Sequence, residues 1–267
     1  MNTVRLKKGL GQNLLKDKNQ IRKIMASINL SPNDIVLEIG PGLGAITLEM
    51  AKIAKTVFCI EKDQEMVIAL NQTIKEENIK NVKIINEDIL RLFINDKLNV
   101  KIKNYKIVAN IPYYLTSVLI RNLLEIKNPP KDIFLMIQKE VGERICAKPG
   151  DMSILSIAVQ YYANPKILFT VPRGCFYPSP KIDSVFIRIT PKGIDKNDEF
   201  FKLIKAGFSH PRKQLIGNLH NQLKIDKEII KKWLADNNLK PGERAEVLSL
   251  PQWDSLFTLL KKKLQKI

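Results

Sequence analysis

Ile35-Val36-Leu37-Glu38-Ile39-Gly40-Pro41-Gly42-Leu43-Gly44 begins as an apolar run and ends in a glycine-rich turn. The aliphatic run, stopped by Gly and Pro, predicts a buried strand that halts at a tight bend. Glycines at alternate positions allow that bend and let a ligand come close to the backbone, at the place where open α/β sheets bind their ligands. The spacing G-x-G-x-G differs from the dinucleotide pattern G-x-G-x-x-G, and no phosphate-loop lysine follows, so a pyrophosphate is not the expected guest.

Outward from this stretch, further apolar runs read as strands at Thr56 to Ile60, Val82 to Asn86, Lys106 to Ala109 and Ile133 to Ile137, with a later pair at Lys166 to Val171 and Ser184 to Ile189. Helical patterns lie between them: Ile21, Ile24, Met25 and Ile28 recur at helical spacing, and Gln64 to Glu77 is rich in helix formers. This alternation predicts an α/β, Rossmann-like, seven-stranded and mostly parallel sheet with helices on both faces. After Thr190-Pro191-Lys192-Gly193 only helical periodicity remains, as in Phe200, Leu203, Ile204 and Phe208, then Ile230, Trp233 and Leu234, then Trp253, Leu256 and Leu260. A small all-helical C-terminal domain is therefore expected over 193–267, following a ligand-binding domain over 1–192.

Three strand ends carry polar groups that could converge on one crevice. Glu61 ends the second strand, about twenty residues beyond the turn, where a carboxylate can accept hydrogen bonds from both hydroxyls of a ribose. Asp88 follows the third strand and could meet an adenine amine. Asn110-Ile111-Pro112-Tyr113 follows the fourth. A carboxamide, a carbonyl held by proline and an aromatic ring suit an exocyclic amine gripped at its edge and a base stacked on its face. A plain strand-ending turn would also use Asn and Pro; what separates the two readings is the position behind a cofactor-type glycine turn.

Lys and Arg number 44 against 27 Asp and Glu, a formal net charge of +17, with a pI near 9.7. Such a balance points to a polyanionic partner, nucleic acid before membrane. Arg5, Lys7, Lys8, Lys16, Lys18, Arg22 and Lys23 face a single acid, Asp17, in the first segment, and Arg212, Lys213, Lys224, Lys231, Lys232, Arg244 and Lys261-Lys262-Lys263 add to the helical part. Cys59, Cys146 and Cys175 are far apart and form no ligand spacing, which reads as reduced thiols with neither disulfide nor metal site. The start lacks the apolar core of a signal peptide and no run reaches about eighteen apolar residues. A cytoplasmic, monomeric protein with no membrane association is expected.

Taken with Gly9-Leu10-Gly11-Gln12-Asn13-Leu14-Leu15, Phe176-Tyr177-Pro178-Ser179-Pro180-Lys181-Ile182-Asp183-Ser184, Phe208-Ser209-His210-Pro211-Arg212-Lys213 and Arg244-Ala245-Glu246, these motifs resemble the rRNA adenine N6-dimethyltransferases, a family of class I S-adenosylmethionine-dependent enzymes. The resemblance spans roughly residues 8 to 257. It implies S-adenosylmethionine as cofactor, with Asn13 and the Leu15 backbone closing over it, Glu38, Gly40 and Gly42 at the glycine turn, Gly40 lining its methionine end, Glu61 on the ribose, Asp88 on the adenine and Asn110 between cofactor and target. It also implies two adjacent adenosines in the 3′-terminal hairpin of 16S rRNA as target, each methylated twice within an assembling small subunit. Leu14 stands where the family usually carries Phe, and Pro211 replaces a commonly basic residue.

Adenine N6 is a poor nucleophile because its lone pair is conjugated into the ring. Two acceptors on the amine hydrogens, the Asn110 side-chain oxygen and the Ile111 carbonyl, would aim that lone pair at the methyl group, and alignment alone can remove roughly 7–11 kcal/mol of barrier. Pro112 fixes its own φ and holds Ile111 extended, while Tyr113 and Phe176 would stack on the two faces of the extruded base. His210 and His220 read as structural or RNA-facing rather than catalytic. Three other functions share parts of this pattern: a resistance-type methyltransferase of large-subunit rRNA, a non-catalytic assembly factor and a DNA adenine methyltransferase. Asp183 and the Arg244-Ala245-Glu246 segment favour the small-subunit enzyme over the first, intact Glu61, Asp88 and Asn110 speak against the second, and the absence of an added base-reading domain speaks against the third.

Overall fold

The computed structural model describes residues 12–94, 104–111, 115–126 and 128–264. The chain runs through β1 (Leu14–Leu15), α1 (Lys18–Ile28), β2 (Ile35–Ile39), α2 (Thr47–Ala51), β3 (Thr56–Glu61), α3 (Gln64–Glu76), β4 (Val82–Asn86), α4 (Ile89–Ile94) and β5 (Tyr105–Asn110). It continues with α5 (Thr116–Leu124), β6 (Asp132–Gln138), α6 (Lys139–Ile145), α7 (Ile154–Tyr162), β7 (Ala163–Val171), β8 (Phe176–Tyr177) and β9 (Ser184–Pro191), and closes with four helices, α8 (Asp198–Gly207), α9 (Leu215–Leu223), α10 (Lys227–Asp236) and α11 (Leu250–Leu264).

The seven longer strands form one sheet in the order β4-β3-β2-β5-β6-β9-β7. β4, β3, β2, β5 and β6 pair in parallel, while β9 runs antiparallel to both β6 and β7. Each strand expected from the sequence is present, extended by one to three residues at half of the ends. Central strands are apolar throughout because both faces are covered. On one face Val36, Val108, Phe134 and Met136 pack with Ile24 and Ile28 of α1 and Met50 of α2; alternate positions on the other, Leu37, Ile107 and Leu135, are equally buried. The chain moves outward from β2 to β4 and then crosses to β5, so the order reverses between β2 and β5. The carboxyl ends of those two strands are where an open α/β sheet binds its ligand.

One charge sits inside this layer. Lys106 on β5 is 6% exposed, and its Nζ donates to the carbonyls of Ile28 (3.2 Å) and Asn29 (2.9 Å) and to Asp34 Oδ2 (3.0 Å). Those carbonyls end α1, whose last orphan acceptors a cation satisfies, and the helix stops at Asn29 with φ 48°. Burial pushes the Asp34 carboxyl up, but the Ser31 amide and the Lys106 ammonium outweigh it and hold the group below its usual range. At its other end α1 is capped by Asp17, which accepts from the amides of Asn19 and Gln20.

Contacts divide the chain into two compact units, residues up to 142 with 163–192, and residues 143–162 with those from 193 onward. The division at 192/193 coincides with the Pro/Gly joint in the sequence. Residues 143–162, which the sequence assigns to the first domain, pack instead with the later helices, because Met152 and Ile157 share a core with Phe200, Leu203, Ile204, Trp233 and Trp253. In this second core Phe208 stacks on Trp253 at 5.8 Å between ring centroids, and Gly207 lies so close to that indole that a Cβ would meet it at 2.4 Å. Among the described residues no helix is long and apolar enough to cross a membrane.

Candidate active site

The turn after β2 forms the floor of a cavity of about 380 Å³, within the usual range for a small-molecule site. Gly40, Gly42 and Gly44 have φ of 71°, 57° and 87°, the left-handed region that favours glycine. A Cβ on Gly44 would meet Leu70 Cδ1 at 2.4 Å, and one on Gly42 would meet Leu14 Cδ2 at 3.0 Å. The segment before α1 thus lies directly over the turn. It is held there by antiparallel pairing of Leu14 with Tyr177 and Leu15 with Phe176 and by the Lys16 amide on the Cys175 carbonyl, 2.9 Å.

Four acids line this cavity, Glu38 on β2, Glu61 at the end of β3, and Glu87 and Asp88 just after β4. Glu61 is 9% exposed; it accepts from the Asp63 amide (2.9 Å) and the Gly42 amide (3.2 Å). Burial raises its pKa against those two hydrogen bonds, with the nearby Asp63 charge adding to the rise. Asp88 accepts from the Leu90 amide (2.9 Å) and pairs with Lys62 (2.9 Å). Burial pushes Asp88 up, but its hydrogen bonds and the Lys62 charge prevail and lower it. Glu38 is turned inward: Oε2 accepts from Thr47 Oγ1 (2.5 Å) and Cys59 Sγ (3.6 Å). Its burial, reinforced by Glu61 and only partly offset by those donors, pushes it up to about 7.

Asn110 ends β5 and, with Ile111, lines the same cavity. Its Nδ2 donates to the Asn13 carbonyl at 3.1 Å, and a Cβ on Gly40 would come within 3.5 Å of the Asn110 carbonyl. Asn13, Leu15, Glu38, Gly40, Gly42, Glu61, Asp88, Asn110 and Ile111 are therefore brought together as one site. Pro112 and Tyr113 lie outside the described residues.

Phe176 does not present the second stacking face expected from the sequence. It is 2% exposed and packs in the core with Leu15, Val171, Cys175 and Phe186. Its neighbour Tyr177 is 63% exposed and lines the cavity. Consecutive strand residues point to opposite sides, so only one of this pair can face outward, and the fully apolar ring takes the interior. Sequence reading also missed Gln12 and Asp63, joined by a 2.7 Å hydrogen bond from Nε2 to Oδ2, and Lys62. Asp63 was detectable as the N-cap before Gln64; nothing in the sequence couples it to Gln12, 51 residues away.

The helical unit holds a second, basic cavity of about 630 Å³, lined by His210, Arg212, Lys213, Gln214, Asn218 and Arg244 among others. The buried Asn218 carboxamide shapes it by donating to the carbonyls of Gly207 (2.7 Å) and His210 (3.1 Å). His220 Nδ1 lies 2.9 Å from the Ile225 carbonyl, which suits a structural role.

Residues 3–262 match the profile described as ribosomal RNA adenine dimethylase. The chain belongs to that family. Within it, the sequence is similar to the ribosomal RNA small subunit methyltransferase A of Dehalococcoides mccartyi (strain CBDB1), 40% identical over 95% of this chain and 88% of that one, and to its namesake in Alkaliphilus oremlandii, 40% identical over 96% and 92%. Among solved structures, a dimethyladenosine transferase from Plasmodium falciparum superposes with a TM-score of 0.77 at 27% identity, covering 94% of this chain and 98% of that one. The 23S rRNA methyltransferase ErmE, with TM-score 0.75 and 23% identity over 93% and 100% of the two chains, shares the fold.

Proposed function

We propose that this protein dimethylates N6 of two adjacent adenosines in the 3′-terminal hairpin of 16S rRNA, acting in small-subunit biogenesis with S-adenosylmethionine as methyl donor. Small-subunit relatives at about 40% identity over nearly the whole chain support the target. The observation that carries the chemistry is the convergence of Asn110 and Ile111 on the cavity that also holds the glycine turn, Glu61 and Asp88. This site fits the donor: backbone amides and glycines for its amino-acid end, Glu61 for the ribose hydroxyls, Asp88 for the adenine. The donor supplies an electrophilic methyl on a positively charged sulfur.

The protein's own groups do the rest. Asn110 Oδ1 and the Ile111 carbonyl accept the two amine hydrogens and orient the lone pair, a positioning effect rather than acid-base catalysis. Pro112 stiffens the Ile111 carbonyl and Tyr113 stacks on the extruded base, a contact worth about 1–3 kcal/mol. Tyr177 is the second aromatic in reach. Lys and Arg side chains around the basic cavity of the helical unit neutralise RNA phosphates. Incubation with methyl-labelled cofactor and precursor small- or large-subunit particles, followed by nucleotide mapping, tests the assignment. Label is expected on two neighbouring adenosines of 16S rRNA; label confined to the large subunit refutes the target. Asn110→Ala is expected to abolish transfer while RNA binding stays near wild type, and unaltered turnover refutes the mechanism.

A further inference from the structure

The segment Gln12–Lys16 does more than cover the cavity. A carbonyl oxygen can only accept, so the 3.1 Å contact between Asn110 and the Asn13 carbonyl obliges Asn110 to present Nδ2 to it. The carboxamide is planar, and fixing its nitrogen end fixes its oxygen end. We propose that this strap sets the orientation of the Asn110 carboxamide, leaving Oδ1 for the target amine, and that Gln12 is the positioning residue that holds the strap in register. The inference rests on the methyl-transfer role proposed above for Asn110.

Gln12 Nε2 donates to Asp63 Oδ2 at 2.7 Å, while Asp63 Oδ1 accepts from the Glu65 amide at 3.1 Å as the cap of α3. The Asp63 amide in turn donates to Glu61 Oε1 at 2.9 Å. One short network therefore ties the front of the strap to the ribose carboxylate. The other end is tied by the pairing of Leu14 and Leu15 with β8 and by Asp17 as the cap of α1. Between these two anchors lie the Asn13 carbonyl and Leu14, whose Cδ2 reaches to 3.0 Å of where a Gly42 Cβ would sit. Breaking the Gln12–Asp63 hydrogen bond removes this tie on the Asn13 side while β1 stays paired, so the carboxamide is held in register less firmly. A displacement on the order of 1 Å in such a positioning contact can lower a rate about a hundredfold.

The test exchanges donor and acceptor. Gln12→Glu sets two carboxylates against each other and breaks the anchor; Gln12→Glu combined with Asp63→Asn restores the hydrogen bond in the opposite sense and keeps an acceptor for the Glu65 amide. Single-turnover rates on small-subunit particles are measured at saturating cofactor, together with the cofactor KM and the Tm. Expected for Gln12→Glu is a fall of roughly tenfold or more in the rate at saturating cofactor, with recovery in the double variant to within about threefold of wild type. A rate unchanged at saturating cofactor, with only KM raised, makes the strap a lid and overturns the proposal. So does a lost rate that the double variant fails to recover while its Tm matches wild type. A wild-type protein that labels no small-subunit adenosine defeats the proposed function itself, and that outcome is distinguishable from both.

Discussion

Glu38→Gln isolates the one acid of the site that is fully enclosed. The Glu38 carboxyl rises from 4.5 to about 7, chiefly because burial disfavours its charge. At about 1.4 kcal/mol for each tenfold change in proton affinity, that interval corresponds to about 3 kcal/mol. The folded-state pKa lies above the unfolded one, so the stabilising contribution is complete below pH 4.5, fades as pH rises through about 7, and is absent at pH 8. Glutamine carries no charge at any of these values, and its oxygen still accepts from Thr47 Oγ1. Thr47 and Cys59 both meet Oε2, so the amide nitrogen takes the Oε1 position and gains neither as a partner, which takes back part of the benefit. The variant is therefore expected to be about 1–3 kcal/mol more stable than wild type at pH 8 and no more stable at pH 5, a Tm difference of roughly 2–4 °C per kcal/mol. Both tryptophans belong to the helical core, so fluorescence would report the other unit; calorimetry or far-UV circular dichroism across pH 5–8 is the suitable assay. A Tm difference that does not change between pH 5 and pH 8, or a variant less stable than wild type at pH 8, would refute the reasoning.

Three further substitutions probe other parts of the same unit. Lys106→Met leaves the Asp34 carboxylate and the last carbonyls of α1 without their cation; a loss of about 2–4 kcal/mol is expected, visible as a lower denaturation midpoint in urea, and a midpoint equal to wild type contradicts the role. Phe176→Ala and Tyr177→Ala separate packing from recognition: the first, at a core position, should cost about 3–5 kcal/mol, while the second should leave Tm within about 1 °C and weaken the target RNA complex several-fold in a filter-binding titration. The reverse pattern would restore Phe176 as the stacking ring.

Most of the sheet was legible because its signals are local. Val36, Leu37 and Ile39, or Ile133 to Ile137, are continuous apolar runs with turn residues at each end, and a strand covered on both faces has no other way to look. The glycine turn was legible for a similar reason, since three residues in the left-handed region leave a compositional mark. What escaped depends on pairs distant in sequence. β1 and β8 are two residues each, too short for any period, and exist only because 162 positions separate Leu14 from a matching backbone edge at Tyr177. That only one of Phe176 and Tyr177 can face the cavity was not visible, because the strand that sends them to opposite sides exists only through pairing with Leu14 and Leu15; once one ring must turn in, the fully apolar one does. Residues 143–162 follow β6 as the end of α6, a turn at Pro149-Gly150 and then α7; that Ile157 joins Phe200 rather than the sheet is a packing outcome.

The distribution of charge gives the molecule two distinct ligand preferences. The chain carries a formal net charge of +17, yet Glu38, Glu61, Glu87 and Asp88 line the cavity against only Lys16 and Lys62, and Lys62 is already paired with Asp88. In the proposed complex, phosphate is drawn to Arg212, Lys213 and Arg244 of the helical unit and disfavoured at the cavity, whose acidic lining opposes an anion but not a neutral base. For the proposed cofactor, the same carboxylates would favour its positively charged sulfur over the uncharged thioether left after transfer. Glu61 is buried and raised by that burial, so its charge needs donors: the Asp63 and Gly42 amides supply them in this structure, and the ribose hydroxyls would add to them in the proposed complex. With S-adenosylmethionine as the proposed donor, loss of the sulfur's charge on transfer weakens the attraction of this acidic cavity for what remains, which favours exchange of spent cofactor for fresh.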